Sequence, residues 1–292
     1  MNIRKLFENF DADFWNKLTS IRITVDAPII IETQKYNAYL SVQGVSLCVD
    51  NCYRVTKNDV ESIFELVTNS SIYTYSRYVN EGYITLSGGN RGGVVGNCVV
   101  VDGKITSVNE IYSLNFRIAH EKIGFSLNVI DSIYKNGNIN NSLIVSPPGC
   151  GKTTLLRDIA RFLGTYESSG RIIVCAIVDE RYELGCARGS GSSFDIGKNN
   201  FLISGCPKSI AIPLITRSMA PDVIIVDEMC DQNDYKAALY AKNSGCKIIA
   251  SVHGKNEEIN ELENINGNNF FETTIVLSRR NGVGTIEKIL GG

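Results

Sequence analysis

The sequence predicts an α/β protein: a three-layer domain over residues 138–292, with a parallel sheet between helices, preceded by an α+β domain over residues 1–137. Three observations carry this. In the second half, continuous apolar runs (SLIVS, RIIVCAIV, VIIVDE, CKIIASV) alternate with stretches at helical spacing, the pattern of a parallel sheet covered on both faces. The first run leads through SPPGCGKT, residues 146–153, into TLLRDIARFL, so a glycine-rich loop joins a strand to a helix. In the first half the strands are short and alternate as half-buried strands do, and Asp102-Gly103 supplies a tight hairpin turn.

Taken in chain order, Ile3, Leu6, Phe10 and Phe14 fall at helical spacing; that face docks on the chain's own core or, alternatively, on a membrane or partner. IRITV at 21–25 reads as a strand, and PIIIE, AYLSV and SLCVD as further short ones. Thr56 is expected to cap a helix through Leu66, because Val60, Ile63, Phe64 and Val67 share one face. After a second helical stretch come GYITL, GGNRGG and the hairpin strands VVGNCVVV and KITSV. FSLNVIDSIYKNG, residues 125–137, reads as a helix stopped by Gly137, and the polar NGNINN around its end places the domain boundary there. Beyond it the order is SLIVS, TLLRDIARFL, RIIVCAIV, a Gly/Ser-rich loop, a helix near 209–219, VIIVDE, YKAALYAKNSG and CKIIASV.

With 292 residues, 43% hydrophobic and 21% charged, the chain suits about two domains. A formal charge of -2 gives no overall basic field, which disfavours duplex nucleic acid as a partner. Nine scattered cysteines, some inside apolar runs, point to reduced intracellular usage. Cys48 and Cys52, the one close pair, lack the second pair or nearby histidine of a zinc site, so no metal-binding cysteines are expected. The start lacks the apolar core of a secretory signal, and no apolar run reaches bilayer-spanning length, so a cytoplasmic or peripherally bound protein is expected.

The chemistry concentrates in the loop at 146. Gly149 and Gly151 let backbone N–H groups converge on phosphate oxygens, with Pro148, Cys150 and Thr154 completing the cradle and the following helix aiming its positive dipole end at it. Lys152 is expected to bridge the β- and γ-phosphates and Thr153 to ligate Mg²⁺, making ATP and Mg²⁺ the ligands. Ser146 stands where the pattern has glycine; if the position needs φ > 0, serine costs about 1–2 kcal/mol, modest beside a multi-contact triphosphate site.

PDVIIVDE supplies the second half: Asp227 is expected to hold Mg²⁺ through water and Glu228 to orient or polarise the attacking water, an order that favours an ATPase over a small-molecule kinase. CAIVDERYE brings Asp179, Glu180 and Glu183 to the same carboxyl edge, where open α/β sheets bind ligands. SVHG ends a fourth strand, so His253 either reports the γ-phosphate or is a satisfied strand-end histidine. Arg217 either pairs with an acid or reaches phosphate. Thr56, Lys57, Asn58 and Asp59 match a guanine-reading tetrad on paper but precede the loop and read as a helix cap, so GTP specificity is disfavoured.

GYITLSGGNRGGVVG, SLNFRIAHE, SPPGCGKTTLLRDIAR, IVDERYE, GCPKS, TRSMAPDVIIVDE and SVHG together make the chain resemble, nearly end to end, the stage III sporulation protein AA family. The resemblance implies an AAA+/RecA-like P-loop ATPase related to type II and type IV secretion ATPases. It also implies a motor or gate for the channel between mother cell and forespore, working as a hexameric ring with membrane proteins of that complex. Its place would be cytoplasmic, peripheral on the inner face of the mother-cell membrane. Carried over by position, Lys152 and Thr153 match the Walker A segment, Asp227 and Glu228 Walker B, Asp179, Glu180 and Glu183 the acidic box, and His253 the histidine box. The chain departs at Lys198, Asn199 and Asn200, where an Arg-Thr-Asp run is expected, at EMCDQND after Walker B, and at His120, where a basic residue is expected.

A ring of this kind needs a cation from a neighbouring subunit to neutralise the transferring phosphoryl group; Arg91, Arg117 and Arg188, with Arg217, are the candidates. Two other functions compete. A nucleic-acid-stimulated ATPase would use GGNRGG in a KH-like N-terminal domain, but the acidic charge and the missing aromatic stacking pattern disfavour it. A binding-only scaffold is opposed by the intact Lys152, Asp227 and Glu228.

Overall fold

The computed structural model describes residues 6–7, 10–33, 35–68, 82–86, 89–135, 137–165, 167–168, 171–185, 194–254 and 270–291. They form two compact units, Met1–His120 and Glu121–Gly292.

In the first unit, helix α1 (Ala12–Lys17) starts where the Asp11 carboxylate accepts the Phe14 N–H, and runs directly into β1 (Leu18–Thr24). The other strands are β2 (Ile30–Thr33), β3 (Asn37–Ser41), β4 (Gly44–Ser46), β5 (Tyr83–Thr85), β6 (Arg91–Val101) and β7 (Lys104–Arg117). They make one antiparallel sheet in the order β4-β3-β2-β1-β7-β6-β5. Asp102 and Gly103, both at positive φ (51 and 74), turn Val101 onto Lys104 as a primed hairpin turn requires. Helix α2 (Lys57–Val67) opens on a full capping box: Thr56 Oγ1 accepts the Asp59 N–H and the Asp59 carboxylate accepts the Thr56 N–H. The Thr-Lys-Asn-Asp tetrad is thus a helix start. Val60 and Phe64 pack with Leu18, Ile31 and Leu40, and Leu6 joins the same core with Phe10 and Phe14 at its edge.

SLCVD is not a strand. The Ser46 hydroxyl donates to Cys48 O at 2.7 Å and accepts its N–H at 3.1 Å, closing a local turn in competition with a sheet ladder. Leu47 and Val49 are consequently exposed. The helical stretch expected before GYITL lies outside the described residues.

The second unit begins earlier than the sequence suggests, at 120/121 rather than 137/138. Phe125, Val129, Ile130 and Ile133 are buried against Leu155, Leu156 and Ile159, so the segment belongs to the second core. Nor is it one helix: a 3₁₀ turn over Phe125–Asn128 precedes a single turn, α3 (Ile130–Ile133), and a ribbon of β8 (Tyr134–Lys135) and β9 (Asn138–Ile139) that reverses at Gly137, φ 81.

Next come β10 (Ser142–Ser146), helix α4 (Lys152–Thr165), a two-stranded ribbon of β11 (Glu167–Ser168) and β12 (Arg171–Ile172), and β13 (Cys175–Asp179). RIIVCAIV is therefore split between the ribbon and the sheet. Then follow β14 (Phe201–Ser204), α5 (Lys208–Met219), β15 (Val223–Val226), α6 (Gln232–Asn243), β16 (Lys247–His253), β17 (Thr273–Ser278) and β18 (Thr285–Gly291). The main sheet runs β14-β13-β15-β16-β10-β17-β18, parallel except for the last pair. Alternate strand residues feed two cores. Ile144, Ile177, Ile225, Ile249 and Ile275 pack with Leu155, Leu156 and Ile159 of α4, whereas Leu143, Val145, Val178, Ile224 and Ile248 pack with Ile212 and Ile215 of α5 and Ala237 and Ala241 of α6. Burial on both faces, at about 1.5–3 kcal/mol per aliphatic side chain, is why these strands read as unbroken apolar runs. Among the described residues no helix is long and apolar enough to cross a membrane.

Candidate active site

The carboxyl ends of β10, β13, β15 and β16 lie on one edge of the sheet, and β16 stands between β10 and β15. The loop after β10 answers the question raised by Ser146. Ser146 is the last residue of that strand and has no positive φ; the left-handed positions are Gly149 (φ 70) and Gly151 (φ 95). No glycine is required at 146, the strain considered for serine does not arise, and its hydroxyl donates to Pro147 O at 2.8 Å.

Lys152 opens α4 with its side chain turned back into the loop. Its Nζ donates to Ser146 O at 3.1 Å and Pro147 O at 3.4 Å and meets His253 Nδ1 at 2.9 Å. Burial pushes its pKa below the ordinary lysine value, against the opposing charges of Asp227 and Glu228. Pro148 is exposed on the loop, Cys150 is buried with its Sγ 3.9 Å from Pro148 O, and Thr154 is half-buried in the first turn of α4. Gly149 is constrained twice. Arg279, just past β17, donates Nε and an Nη to Gly149 O at 2.9 and 2.8 Å, and a Cβ on Gly149 would stand 2.2 Å from that guanidinium.

Across the site, Thr153 Oγ1 donates to Asp227 Oδ2 at 2.6 Å. A hydroxyl and a carboxylate thus converge from a helix start and a strand end, the hard oxygen donors that magnesium takes, so these residues fit the metal. Ser251, fully buried on β16, donates to Asp227 Oδ1 at 2.5 Å and accepts the Glu228 N–H at 3.0 Å, bridging both acids. Glu228 has left-handed backbone, φ 49. Its Oε1 lies 2.8 Å from His253 Nε2 and its Oε2 2.5 Å from an Arg181 Nη. The neutral histidine with its proton on Nε2 satisfies both neighbours, accepting from Lys152 and donating to Glu228. Burial alone would raise the Glu228 pKa; the Arg181 charge, the His253 hydrogen bond and Lys152 outweigh it and hold the carboxyl below its usual range.

Two carboxylates of the acidic box, those of Asp179 and Glu180, have their partners within the second unit. Asp179 is 2% exposed, and its carboxylate accepts the backbone N–H groups of Glu183, Leu184 and Gly185 at 2.6, 3.0 and 2.9 Å. Both oxygens are committed to closing the turn after β13. Glu180 is ion-paired with Lys208. The Glu183 carbonyl accepts from Arg157 at 2.6 Å. The Asp179 carboxylate shapes the turn, Glu180 is held by Lys208, Glu183 takes part through its main chain, and the residue of this segment that reaches Glu228 is Arg181.

Arg91 and Arg117 are register partners on β6 and β7 in the first unit. Arg217 lies in the last turn of α5, which leads into the amino end of β15, the opposite end from Asp227; its Nε donates to Pro213 O at 3.2 Å. Arg188 lies outside the described residues. His120 contacts Leu18 O at 2.7 Å, and Asn200, at a departure from the family pattern, ties Ala160 O to Cys175 N–H. Sequence reading missed Arg181, Ser251 and Arg279. Ser251 carried a signal: two residues before His253 in an otherwise apolar strand, it falls on the histidine's face.

The chain is 32% identical over 280 residues to stage III sporulation protein AA of Bacillus subtilis (strain 168), covering 94% of this chain and 87% of that one. Among solved structures it is similar to the ATPase DotB of Legionella pneumophila, with a TM-score of 0.61 at 15% identity over 94% of this chain and 75% of the other. It is also similar to the pilus retraction motor PilT with bound ADP, with a TM-score of 0.62 at 16% identity over 94% and 78%. At these identities the likeness establishes the fold, that of RecA-like secretion ATPases. The family described as sporulation stage III, protein AA, matches residues 1–291, and the chain belongs to that family.

Proposed function

We propose that the protein is a Mg²⁺-dependent ATPase that drives or gates the channel apparatus between mother cell and forespore. The observation that supports this most is one connected constellation: Lys152, His253 and Glu228 in hydrogen-bonded sequence, beside Thr153 hydrogen-bonded to Asp227. In this reading the Gly149–Gly151 loop cradles the phosphates through its N–H groups, and Lys152 exchanges the carbonyls of Ser146 and Pro147 for phosphate oxygens. Thr153 and Asp227 would hold the metal, whose charge would offset that on the phosphoryl oxygens. Glu228 orients the attacking water, and His253 senses through its Nδ1 whether Lys152 has left.

Membership of a sporulation family and a fold shared with DotB and PilT support the motor role. The protein would work as a ring, hexameric by analogy. A neighbour would lend an arginine from among Arg91, Arg117, Arg188 and Arg217, and membrane proteins of the channel complex would hold the ring on the mother-cell side. Glu228→Gln provides the test: the variant should bind labelled ATP as the wild type does and retain it unhydrolysed. Hydrolysis by the variant at the wild-type rate would refute the role of Glu228.

A further inference from the structure

We propose that Arg181 is a positioning residue for this hydrolysis, fixing the Glu228 carboxylate against His253 and hence toward the phosphate loop; the proposal rests on the ATPase reading above. The carboxylate is gripped at both ends. Oε2 meets Arg181 at 2.5 Å and Oε1 meets His253 at 2.8 Å. Two tethers from different elements leave the side chain one orientation, whereas His253 alone would allow rotation about the remaining torsions. The Glu228 backbone, at φ 49, occupies a region that L residues seldom hold, as at sites whose surroundings over-determine them.

Arg181 is itself delivered by a fixed turn. Asp179 gathers three N–H groups at one side of it, Glu180 is paired with Lys208, and Tyr182 has a left-handed φ of 59. The Tyr182 hydroxyl packs so closely on Gly205 that a Cβ there would stand 2.2 Å from it. With its neighbours held, the Arg181 backbone is set in place and only the side-chain torsions have to be ordered for the guanidinium to reach Glu228. The charged and titratable groups acting on that carboxylate are Arg181 from this turn, His253 from β16, Lys152 from α4, and Cys230 from its own segment, whose Sγ also donates to the Glu228 carbonyl. Arg181 is the one arginine among them and is 55% exposed, so the pair adds little stability; its consequence is orientation.

Two measurements test this. In nucleotide-free protein labelled with ¹⁵N-arginine, the Arg181 guanidinium should show restricted rotation that is lost in Glu228→Gln; free rotation in both would overturn the proposal. In steady-state hydrolysis, Arg181→Gln should lower kcat about tenfold or more, while KM and the Kd for labelled ATP stay within about twofold. Arg181→Lys should recover part of the loss, and millimolar guanidinium should partly rescue Arg181→Ala without accelerating the wild type. A normal or raised kcat in Arg181→Gln, in a wild type whose turnover depends on Glu228, defeats this proposal alone. Absence of wild-type turnover defeats the ATPase reading, and the positioning role with it.

Discussion

Replacing Asp179 by asparagine separates a structural acid from a chemical one. The carboxylate satisfies three backbone N–H groups from a position 2% exposed. Asparagine retains one acceptor oxygen, which keeps the Glu183 and Leu184 N–H groups but turns an NH₂ toward the N–H of Gly185. One buried donor is then unsatisfied, costing about 1–3 kcal/mol, and two charge-assisted bonds become neutral ones, costing about 1 kcal/mol each. The sum, about 3–5 kcal/mol, falls on the unit Glu121–Gly292, where each kcal/mol lowers the melting temperature by about 2–4 °C. A drop of roughly 10 °C in a circular-dichroism melt is expected, with labelled-ATP affinity within about twofold because the bonds weakened are those to the N–H groups of the turn after β13. A melting temperature unchanged within about 2 °C, with turnover abolished, would show that Asp179 acts in the chemistry and refute this reasoning.

Ser146→Gly restores the common loop pattern yet should destabilise the protein by about 1–2.5 kcal/mol, because in this extended backbone glycine adds unfolded-state entropy and the buried hydroxyl's bond to Pro147 O is lost. A raised urea midpoint would contradict this. Asp158, 4% exposed on α4, is pushed up by burial, but the Ser126 N–H and hydroxyl, Arg161 and the Gly124 N–H outweigh this and hold its pKa below the usual carboxylate value. A depressed folded pKa means stability present above the unfolded value, about 3.9, and lost as pH falls through the folded one. Asp158→Asn should therefore trail the wild type in urea midpoint at pH 7, with the gap closing below about pH 4; a constant gap would contradict the assignment.

β10, β13, β15 and β16 were legible because each is buried on both faces and leaves an unbroken apolar run; β17, equally buried, opens on Thr273 and Thr274 and was not read as a strand. The edges were not legible: β14 is a half-buried strand of four residues, FLIS, inside a Gly/Asn-rich stretch, and β18 carries Glu287 and Lys288 on exposed positions, so its pattern is close to that of a polar loop. The segment 125–133 misled for a related reason. Its apolar residues are spaced for a helix but anchor a 3₁₀ turn on α4, where Asp158 accepts the N–H groups of Gly124 and Ser126. In the site, Lys152, Thr153, Asp227 and Glu228 were singled out by motif spacing and His253 by its strand end, and the structure brings all five together. Arg181 was not, because its contact with Glu228 depends on a turn that Asp179 shapes through three backbone N–H groups, which no motif spacing announces.

The placement of β10 between β16 and β17 has a consequence for biosynthesis. Ser142 through Val145 find their second hydrogen-bonded neighbour in Thr273 through Val276, roughly 130 residues further along, a separation that slows any sheet assembled from distant segments. On a translating ribosome the strand bearing the nucleotide loop emerges early but keeps a bare flank until β17 leaves the exit tunnel. A nascent chain arrested before Thr273 should therefore be a chaperone client, and competence to grip nucleotide should be acquired late and all at once.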